Sequence, residues 1–496
     1  MGKDVAAAAF TREDRRRYRV KVRTCLDVLA RMLRESAFST DRPMVGLELE
    51  LNLVDADVDP VMNNAAVLAA IADPAWQTEL AQFNIEINLP PRHLAGGGLA
   101  ALVADLTGHL DRAAEAARAT GTHLAMIGIL PTLTEKHLSA DALSSDPRYA
   151  LLDEQILAAR GEDLHISISG AERLSTDADS IAPEAACTSA QFHVQVEPGS
   201  FAAYWNAAQA IAGVQLAVGA NSPFLFGRRL WAETRVPLFE QATDSRPEEL
   251  KSQGVRPRVW FGERWITSVF DLFEENTRYF PTLLPICTEE DPERVLDSGG
   301  IPALDELTLH NGTIYRWNRP VYAVSTRPGG GAVPHLRVEN RVLPAGPTVI
   351  DTAANAAFFF GLVRGLAEAE QPVWTRLPYG AARENFRSGA RHGIVAGMFW
   401  PGAEDEPATE LVLADLLPVA AAGLDAWDVD PAERDRLLGV IERRCALRRN
   451  GATWQVDTLA RLEAQGWDRA GALRVLTGRY LEHMDTGEPV HTWPVV

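Results

Sequence analysis

Polar and apolar residues alternate with a period of two in four short stretches of the chain, which is the pattern of β-strands with two different faces. The stretches are GLELELNLVD, QFNIEINLPP, QFHVQVEP and HLRVENRVLP. In each of them aliphatic or phenylalanine side chains dominate one face, whereas Glu, Asn, Gln, His or Arg occupies the other. We therefore expect a sheet with one core face and one polar face. The predicted strands lie near 45–54, 83–89, 164–169, 191–197, 314–323 and 335–343.

Helical spacing of apolar residues separates these strands. Helices are predicted over 11–36, 99–110, 201–218 and 352–366, the last two apolar on most sides and therefore buried. The tail after about residue 400 also has a helical pattern. Within it, Asp430, Pro431 and Glu433 predict a capping box at a helix start, and Gly466 predicts the end of the next helix.

The predicted fold class is α+β, with a curved, mostly antiparallel catalytic sheet that is backed by helices. Its domains are predicted as a catalytic domain over 1–400 and a helical extension over 401–496 that packs on it. The Gly-rich loop at 326–334 is expected to be mobile. No apolar run is expected to be long enough to span a bilayer.

Composition narrows the class of protein. The 496 residues are 46% hydrophobic and 23% charged, as in globular proteins, and carry a formal net charge of -19. Such a surface repels phosphate backbones and argues against nucleic acid as the main partner. The four cysteines form no C-x-x-C pair, and the first residues contain no apolar signal segment. We expect a cytoplasmic protein that acts without a membrane, and a homo-oligomer is left open.

The polar faces of the four strands contain no lysine. Acidic groups crowded on one face repel each other unless cations lie between them. The side chains predicted to bind two or more metal ions are Glu48, Glu50, Glu86, His193 and Glu339. Mg²⁺ suits carboxylate ligands and shares its remaining positions with water and phosphate, and Mn²⁺ is an alternative because of the histidine.

Arginine flanks one of these carboxylates on the same strand face. Arg337 and Arg341 lie two residues to either side of Glu339. A guanidinium binds phosphate oxygens through two donors at once, so this strand is suited to hold both a metal and the γ-phosphate of ATP. The chain contains neither a Walker-A loop nor a Rossmann glycine motif. A nucleotide is therefore expected on the sheet.

In this order, the strand motifs resemble those of the glutamate–cysteine ligase and carboxylate–amine ligase family, which belongs to the glutamine-synthetase-like ATP-dependent ligases. The matching segments are G-L-E-L-E (46–50), E-I-N-L-P (86–90), F-H-V-Q-V (192–196), V-E-N-R-V (338–342), the Asn221-Ser222-Pro223-Phe224 turn, Ala390-Arg391-His392-Gly393 and Asn450-Gly451-Ala452-Thr453-Trp454-Gln455. The resemblance covers roughly residues 40–460. It implies a curved sheet with its substrate funnel on the concave side.

The resemblance also implies roles for single residues. The five predicted ligands would hold the metals, and Arg341 would contact the γ-phosphate. We expect Arg341, Glu339 and Arg337 to be catalytic. We expect Arg341, Asn340, His193 and Gln195 to bind the nucleotide.

Simpler roles compete for several of these residues. A histidine such as His193 is more often a hydrogen-bonded core residue than a ligand, and Asn221 is more readily a turn former. Surface ion pairs are the expected role of Arg228, Arg229 and Arg235, and solvent exposure that of Arg443 and Arg444. Tyr315, Trp317 and Arg319 either line a pocket or pack in the core.

The leading functional hypothesis is an ATP- and Mg²⁺-dependent ligase that activates a carboxylate, such as the γ-carboxyl of glutamate. The acyl phosphate is then attacked by an amine such as cysteine, as in the first step of glutathione biosynthesis. The alternatives are a metal-dependent phosphohydrolase on the same carboxylates and a nucleotide-binding relative without catalysis.

Overall fold

The four alternating stretches become neighbouring strands of one sheet in a computed structural model, which describes residues 10–35, 38, 43–326 and 330–495. The strands are β1 (Val45–Val54), β2 (Trp76–Thr78), β3 (Asn84–Arg92), β4 (His123–Ala125), β5 (Leu164–Ser169), β6 (Arg173–Ala178), β7 (Ser189–Val196), β8 (Phe224–Leu225), β9 (Arg228–Arg229), β10 (Val259–Trp260), β11 (Tyr315–Arg316), β12 (Asn318–Thr326), β13 (Ala332–Pro344), β14 (Gly397–Trp400) and β15 (Ala403–Pro407).

The described residues also form seventeen α-helices, some of which pack on this sheet. They are α1 (Arg12–Glu35), α2 (Asn64–Ile71), α3 (Gly98–Ala119), α4 (Pro147–Arg160), α5 (Phe201–Gly219), α6 (Arg235–Ala242), α7 (Glu248–Ser252), α8 (Val269–Tyr279), α9 (Pro292–Asp297), α10 (Asp305–Gly312), α11 (Val349–Ala367), α12 (Tyr379–His392), α13 (Ala408–Leu411), α14 (Leu417–Ala426), α15 (Pro431–Ala446), α16 (Gly451–Ala464) and α17 (Arg469–Asp485).

The main sheet has seven strands in the order β12-β13-β7-β1-β3-β2, with β4 added on β1. Every pairing in it is antiparallel, and the sheet curls into a half-barrel. The four strands that carry the polar motifs, β13, β7, β1 and β3, are consecutive at its centre. The predicted fold class is therefore confirmed.

One face of the sheet is packed against α5 and α11. Phe192 of β7 lies 5.9 Å from the rings of both Phe359 and Phe360 of α11. Leucine, isoleucine and valine side chains of β1, β3 and β13 belong to the same core. Because successive strand residues point to opposite faces, this packing forces the acidic, amide and basic side chains onto the other face.

Most predicted elements occur, with local differences. The predicted strand over 314–323 is two strands, because β11 pairs with β10 and β12 pairs with β13. The capping box at Asp430 forms only in part: the Asp430 carboxylate accepts from the amides of Ala432 and Glu433, while Glu433 accepts from Arg436. Gly466 follows α16 with a φ of 96°, as its predicted stop requires. Part of the Gly-rich loop at 326–334 lies outside the described residues.

The tail after residue 400 is helical as predicted but closely integrated with the rest. The hairpin of β14 and β15 spans that boundary, and α11 packs along α14 and α15. Arg444 of α15 is 2% exposed and forms an ion pair of 2.8 Å with Asp351 of α11, so the prediction of a solvated Arg444 is wrong. A domain division at residue 400 stays a prediction.

One helix corrects the expectation that no apolar run could span a bilayer. By length and composition α11 qualifies, with a mean hydropathy of 1.3, but 78% of its apolar window is buried within the protein. Its aromatic residues contact β7, so we interpret α11 as the central core helix.

Candidate active site

The register of the four central strands brings the predicted side chains side by side. Glu50 of β1 is directly opposite Glu86 of β3. His193 of β7 is opposite Gly46 on one side and Glu339 on the other. Residues directly opposite each other in a sheet have Cβ atoms about 5 Å apart. The polar face therefore carries a continuous band of carboxylates and imidazole.

Glu48 and His193 form the first contact in this band. The imidazole Nε2 lies 3.1 Å from Glu48 Oε1, and His193 is 3% exposed. Nδ1 and Nε2 of His193 make no geometrically sound hydrogen bond within the described residues. Burial is the largest single effect on the pKa of the Glu48 carboxyl and acts to raise it, but His193 and Arg341 together outweigh burial and lower that pKa overall. Glu48 is thus held as an anion next to a ring that lacks a full set of partners.

Glu50 is buried and accepts three hydrogen bonds from β7. The Ser189 amide donates at 2.7 Å, the Ser189 hydroxyl at 3.0 Å and the Gln191 side-chain amide at 2.8 Å. Burial nevertheless raises the pKa of Glu50 above its usual value, because the bonds and Arg341 only partly compensate for lost hydration.

The negative charge of the buried Glu86 carboxylate is less well compensated than that of Glu50. Its Oε1 accepts from the side-chain amides of Gln77 at 2.7 Å and Asn88 at 2.6 Å. Burial and the charges of Glu48 and Glu50 raise its pKa to about 8. A cation placed among these carboxylates would relieve both the repulsion and the desolvation.

Glu339 has the opposite environment. Its carboxylate accepts from Arg319 at 2.9 Å and from Arg341 at 2.7 Å. Although burial acts to raise it, the two guanidinium charges hold the pKa of Glu339 far below its usual range. Glu339 is therefore a permanent anion at the centre of the band.

A β-bulge positions Arg341. The register of β13 against β7 shifts between Asn340 and Leu343, and the Arg341 amide instead donates to the Trp317 carbonyl at 2.9 Å. A bulge re-aims a side chain relative to the sheet. Here it leaves the Arg341 guanidinium on the polar face, where its charge acts on Glu48 and Glu50 as well as on Glu339.

Two of the other predicted residues lie on this face, and one does not. Arg337 is opposite Gln195, and Arg337 Nε is buried without a hydrogen-bond partner in the described chain. Asn340 points to the core face, where its side chain bonds with Gln215 of α5 and Asn318 of β12. The structure therefore does not bring Asn340 to the cluster, and its predicted contact with a nucleotide is replaced by a contact between sheet and helix.

The carboxylates are bonded to protein partners in this arrangement. Within the described residues no three His, Cys, Asp or Glu side chains are within reach of one ion. The donor set still fits a hard cation, because it offers carboxylate oxygens and an imidazole whose ring nitrogens lack full partners.

A pocket opens beside the cluster and contains residues that the sequence analysis missed. It is lined by Glu50 and Arg341 together with Glu79, Glu184 and Arg235. Burial, followed by the charges of Glu50, Glu86 and Glu184, raises the pKa of Glu79 well above its usual value. Tyr315 and Trp317, for which a pocket role and a core role were both open, also line it.

Glu79 and Glu184 could not be found by alternation. Glu79 follows the three-residue strand β2, and Glu184 lies in a short 3₁₀ helix before β7. The one signal for Glu184 is its position five residues ahead of a motif strand. Arg235 is 2% exposed and pairs with buried Glu233 at 2.8 Å. The prediction that Arg235 forms an ion pair on the surface is therefore wrong.

The remaining motif segments meet in a structural junction next to the sheet. The Asn221 side-chain amide donates to the Ala345 carbonyl and to the Tyr480 hydroxyl, while its carbonyl oxygen accepts from Gln455 at 2.9 Å. Gly451 lies so close that a Cβ there would come within 2.0 Å of Asn221 Oδ1. The Asn221 and Gly451 motifs thus bind each other.

Comparison with known proteins finds one matching family model and similar solved structures. The model of glutamate–cysteine ligase family 2 matches residues 44–467. No curated protein matched the sequence. Among solved structures, the chain is similar to a glutamate–cysteine ligase from Francisella tularensis in complex with AMP, at 12% identity and a TM-score of 0.51, covering 92% of this chain and 96% of that one. It is also similar to a bifunctional glutathione synthetase from Pasteurella multocida, at 12% identity and a TM-score of 0.50, covering 94% of this chain but 55% of that one. At this identity the likeness establishes the fold.

Proposed function

The chain belongs to glutamate–cysteine ligase family 2, and from that premise we propose that it is an ATP-dependent carboxylate–amine ligase acting on the γ-carboxyl of glutamate. The observation that carries this proposal is the placement of Arg341 and Glu339 on one polar face with Glu48, Glu50 and Glu86. This face combines carboxylates that could hold metal ions with a guanidinium that could bind the transferred group. Phosphoryl transfer requires both.

The proposed reaction has two steps. The substrate carboxylate oxygen attacks the γ-phosphorus of ATP, which forms an acyl phosphate and releases ADP. The amine nitrogen then attacks the acyl carbon, inorganic phosphate leaves, and one proton of the amine is lost to the surroundings. The products are an amide, ADP and phosphate.

Arg341 is proposed to bind the transferred phosphoryl group. Its Nη1 is used by Glu339, while the remaining donors of its planar guanidinium are available for phosphate oxygens. Glu339 holds the guanidinium in position, and Arg319 steadies Glu339 from the neighbouring strand. Arg337 and Gln195 lie further along the same two strands and are proposed to contact the nucleotide.

The divalent cation is proposed to be Mg²⁺, with Mn²⁺ as a substitute, held by Glu48, Glu50, Glu86, His193 and Glu339. When bound it would neutralise phosphate charge and polarise the γ-phosphoryl group. The protein side chains align the two substrates, and the buried walls of the pocket exclude water from the acyl phosphate.

The direct test is a screen of purified protein with Mg²⁺, ATP, L-glutamate and a panel of amines. We expect release of ADP that depends on both acid and amine, and a γ-glutamyl amide detectable by mass spectrometry. Glu339→Gln should reduce this turnover at least 100-fold, because it removes the anion that positions Arg341. Glu135→Gln, a substitution of an exposed residue, is the control and should keep full activity.

Phosphate release without an amine, with no amide formed, would contradict ligation and favour a phosphohydrolase. The absence of any Mg²⁺-dependent ATP binding in calorimetry would favour a relative without catalysis. The cytoplasmic location, the homo-oligomer and the division at residue 400 stay predictions.

A further inference from the structure

The pocket beside the carboxylate cluster has aromatic and aliphatic walls. The ring of Phe239 meets Tyr315 at 5.2 Å and Trp317 at 5.9 Å, both edge to face. Leu80 and Ala185 complete the apolar lining. These apolar walls lie next to Glu50 and Arg341, so the apolar body of a ligand in this pocket would lie beside the reacting atoms.

Each arginine of this pocket already has an anionic partner. Arg235 pairs with Glu233 at 2.8 Å and donates to the Val342 carbonyl. Arg316 pairs with Glu275 at 2.7 Å. The third, Arg341, pairs with Glu339 and is assigned above to the phosphoryl group. Within the described residues, the pocket lining therefore provides no spare cation for the carboxylate of an amino-acid acceptor.

The carboxylates of the pocket are in the opposite situation. Glu184 Oε2 is buried and has no hydrogen-bond partner among the described residues. Burial raises the pKa of Glu184 to about 8, which reflects how poorly its negative charge is compensated. An ammonium group next to it would supply both the missing hydrogen bond and the missing charge.

We infer that this pocket receives the amine substrate and selects amines that have an apolar or aromatic body and no carboxylate, with Glu184 binding the ammonium group. The inference rests on the proposed ligase function and narrows its acceptor class. An α-amino acid would bring its own carboxylate next to Glu50, Glu79 and Glu184 with no free guanidinium to offset the repulsion.

One arginine outside the pocket lining could bind the carboxylate of an amino-acid acceptor, which is the competing hypothesis. Arg148 is half-buried near Tyr315 and makes no side-chain ion pair within the described part of the chain. If an amino acid were the true acceptor, we would expect Arg148 to form the ion pair with its carboxylate. Binding of the amino acid would then depend on Arg148.

The test compares ligands that differ only by a carboxylate. Isothermal titration calorimetry, with Mg²⁺ and ADP present, measures the binding of phenethylamine against L-phenylalanine and of cysteamine against L-cysteine. We expect each amine to bind at least 10-fold more tightly than its amino acid. Glu184→Gln should weaken amine binding at least 10-fold, with a melting temperature close to that of the parent. Glu135→Gln should leave all four affinities unchanged.

Equal or tighter binding of the amino acids would overturn the inference, as would unchanged amine affinity in Glu184→Gln. Loss of amino-acid binding in Arg148→Ala would also overturn it. The binding assay is independent of turnover. A retained preference for amines without amide formation would therefore contradict the proposed ligation, whereas amide formation with amino acids alone would contradict only the acceptor class.

Discussion

Arg341 lies on the polar face two residues after Glu339, at a β-bulge that leaves it outside the ladder between β13 and β7. Its guanidinium then contacts a carboxylate on the same strand at 2.7 Å and faces the carboxylates of β1. Planarity matters at this position, because one edge of the group is used by Glu339 and another remains for a phosphate.

Arg341→Lys should therefore lower kcat by roughly 100-fold, because an ammonium ion cannot serve Glu339 and a phosphate through two separate edges. Measurement of ADP release at saturating ATP tests this. The matched control is Arg229→Lys on the exposed strand β9, which should leave kcat within twofold of the parent. Equal kcat values for both variants would remove Arg341 from the proposed mechanism.

His310 gives a prediction about stability. The ring is 3% exposed, Nε2 lies 3.0 Å from the Asn276 carbonyl, and burial lowers the pKa of His310 to about 4. The unfolded chain binds this proton more readily than the folded one. The contribution of neutral His310 to the free energy of unfolding is thus fully present above about pH 6.5. It is lost as the pH falls towards 4, by up to about 3 kcal/mol.

Replacement of His310 by Gln should remove most of this dependence. The difference in urea midpoint between pH 7.5 and pH 5.0 should be smaller in His310→Gln than in the parent protein. His165, whose side chain is 56% exposed, is the control, and His165→Gln should keep the parent profile. An unchanged profile in His310→Gln would show that its protonation is not linked to unfolding.

At the residue scale, alternation alone was sufficient to predict which side of β1, β3 and β7 carries the polar groups. The same alternation puts Asn340 on the face of Val338 and Val342, where the structure has it, but the prediction of a nucleotide contact did not take this into account. Glu184 was not predicted as a site residue, and Arg319 was left between a pocket role and a core role, because both roles depend on which strand or loop lies next to β13 and β7. Sequence spacing contains no information on that pairing.

At the scale of elements, the close crossing of α11 and α14 depends on two glycines. A Cβ on Gly361 would come within 2.2 Å of the Ala420 carbonyl oxygen, and a Cβ on Gly423 within 1.9 Å of the Gly361 carbonyl oxygen. Both contacts are with backbone, which cannot rotate away. The two helices therefore touch almost backbone to backbone.

Gly423→Ala should lower the free energy of unfolding by about 1–3 kcal/mol, since the helices must separate to admit the methyl group. Thermal unfolding followed by circular dichroism measures this. The matched control is Gly439→Ala in α15, where a Cβ would meet nothing within 4 Å. That change should be neutral or stabilising by up to about 1 kcal/mol, because alanine is the better helix former.

Element positions were largely predictable, because each depends on a local pattern. The strand at 45–54 and the helix at 352–366 were both predicted within a few residues of their bounds, from alternation and from continuous apolarity. The bulge at Arg341 and the break at Trp317 were not predicted. Both are consequences of pairing with a second strand, which no local pattern records.

At the scale of the whole molecule, the last hundred residues complete the core of the first four hundred. Asn221 needs Tyr480 and Gln455 as hydrogen-bond partners, and Asp351 needs Arg444. A fragment ending at residue 400 would leave these groups buried and unpaired, or would expose the apolar side of α11. Each unpaired buried group costs about 1–3 kcal/mol.

We therefore expect the fragment 1–400 to lack a cooperative thermal transition and to be degraded rapidly by trypsin under conditions in which the full chain persists. Adding the purified segment 401–496 in trans should restore protease resistance at least in part. A fragment 1–400 that melts cooperatively on its own would instead support two independent domains. From sequence, the tail could be predicted as helical but not as part of the core, because the partners of Arg444 are distant in the chain.

The link between Asn221 and Tyr480 also constrains how the protein is made. These residues are separated by 259 positions. At a synthesis rate of about 5–20 residues per second, Asn221 emerges from the ribosome roughly 13–50 seconds before its partner. During this interval the central sheet is held without its final support, so a nascent chain of this length is a natural client for chaperones.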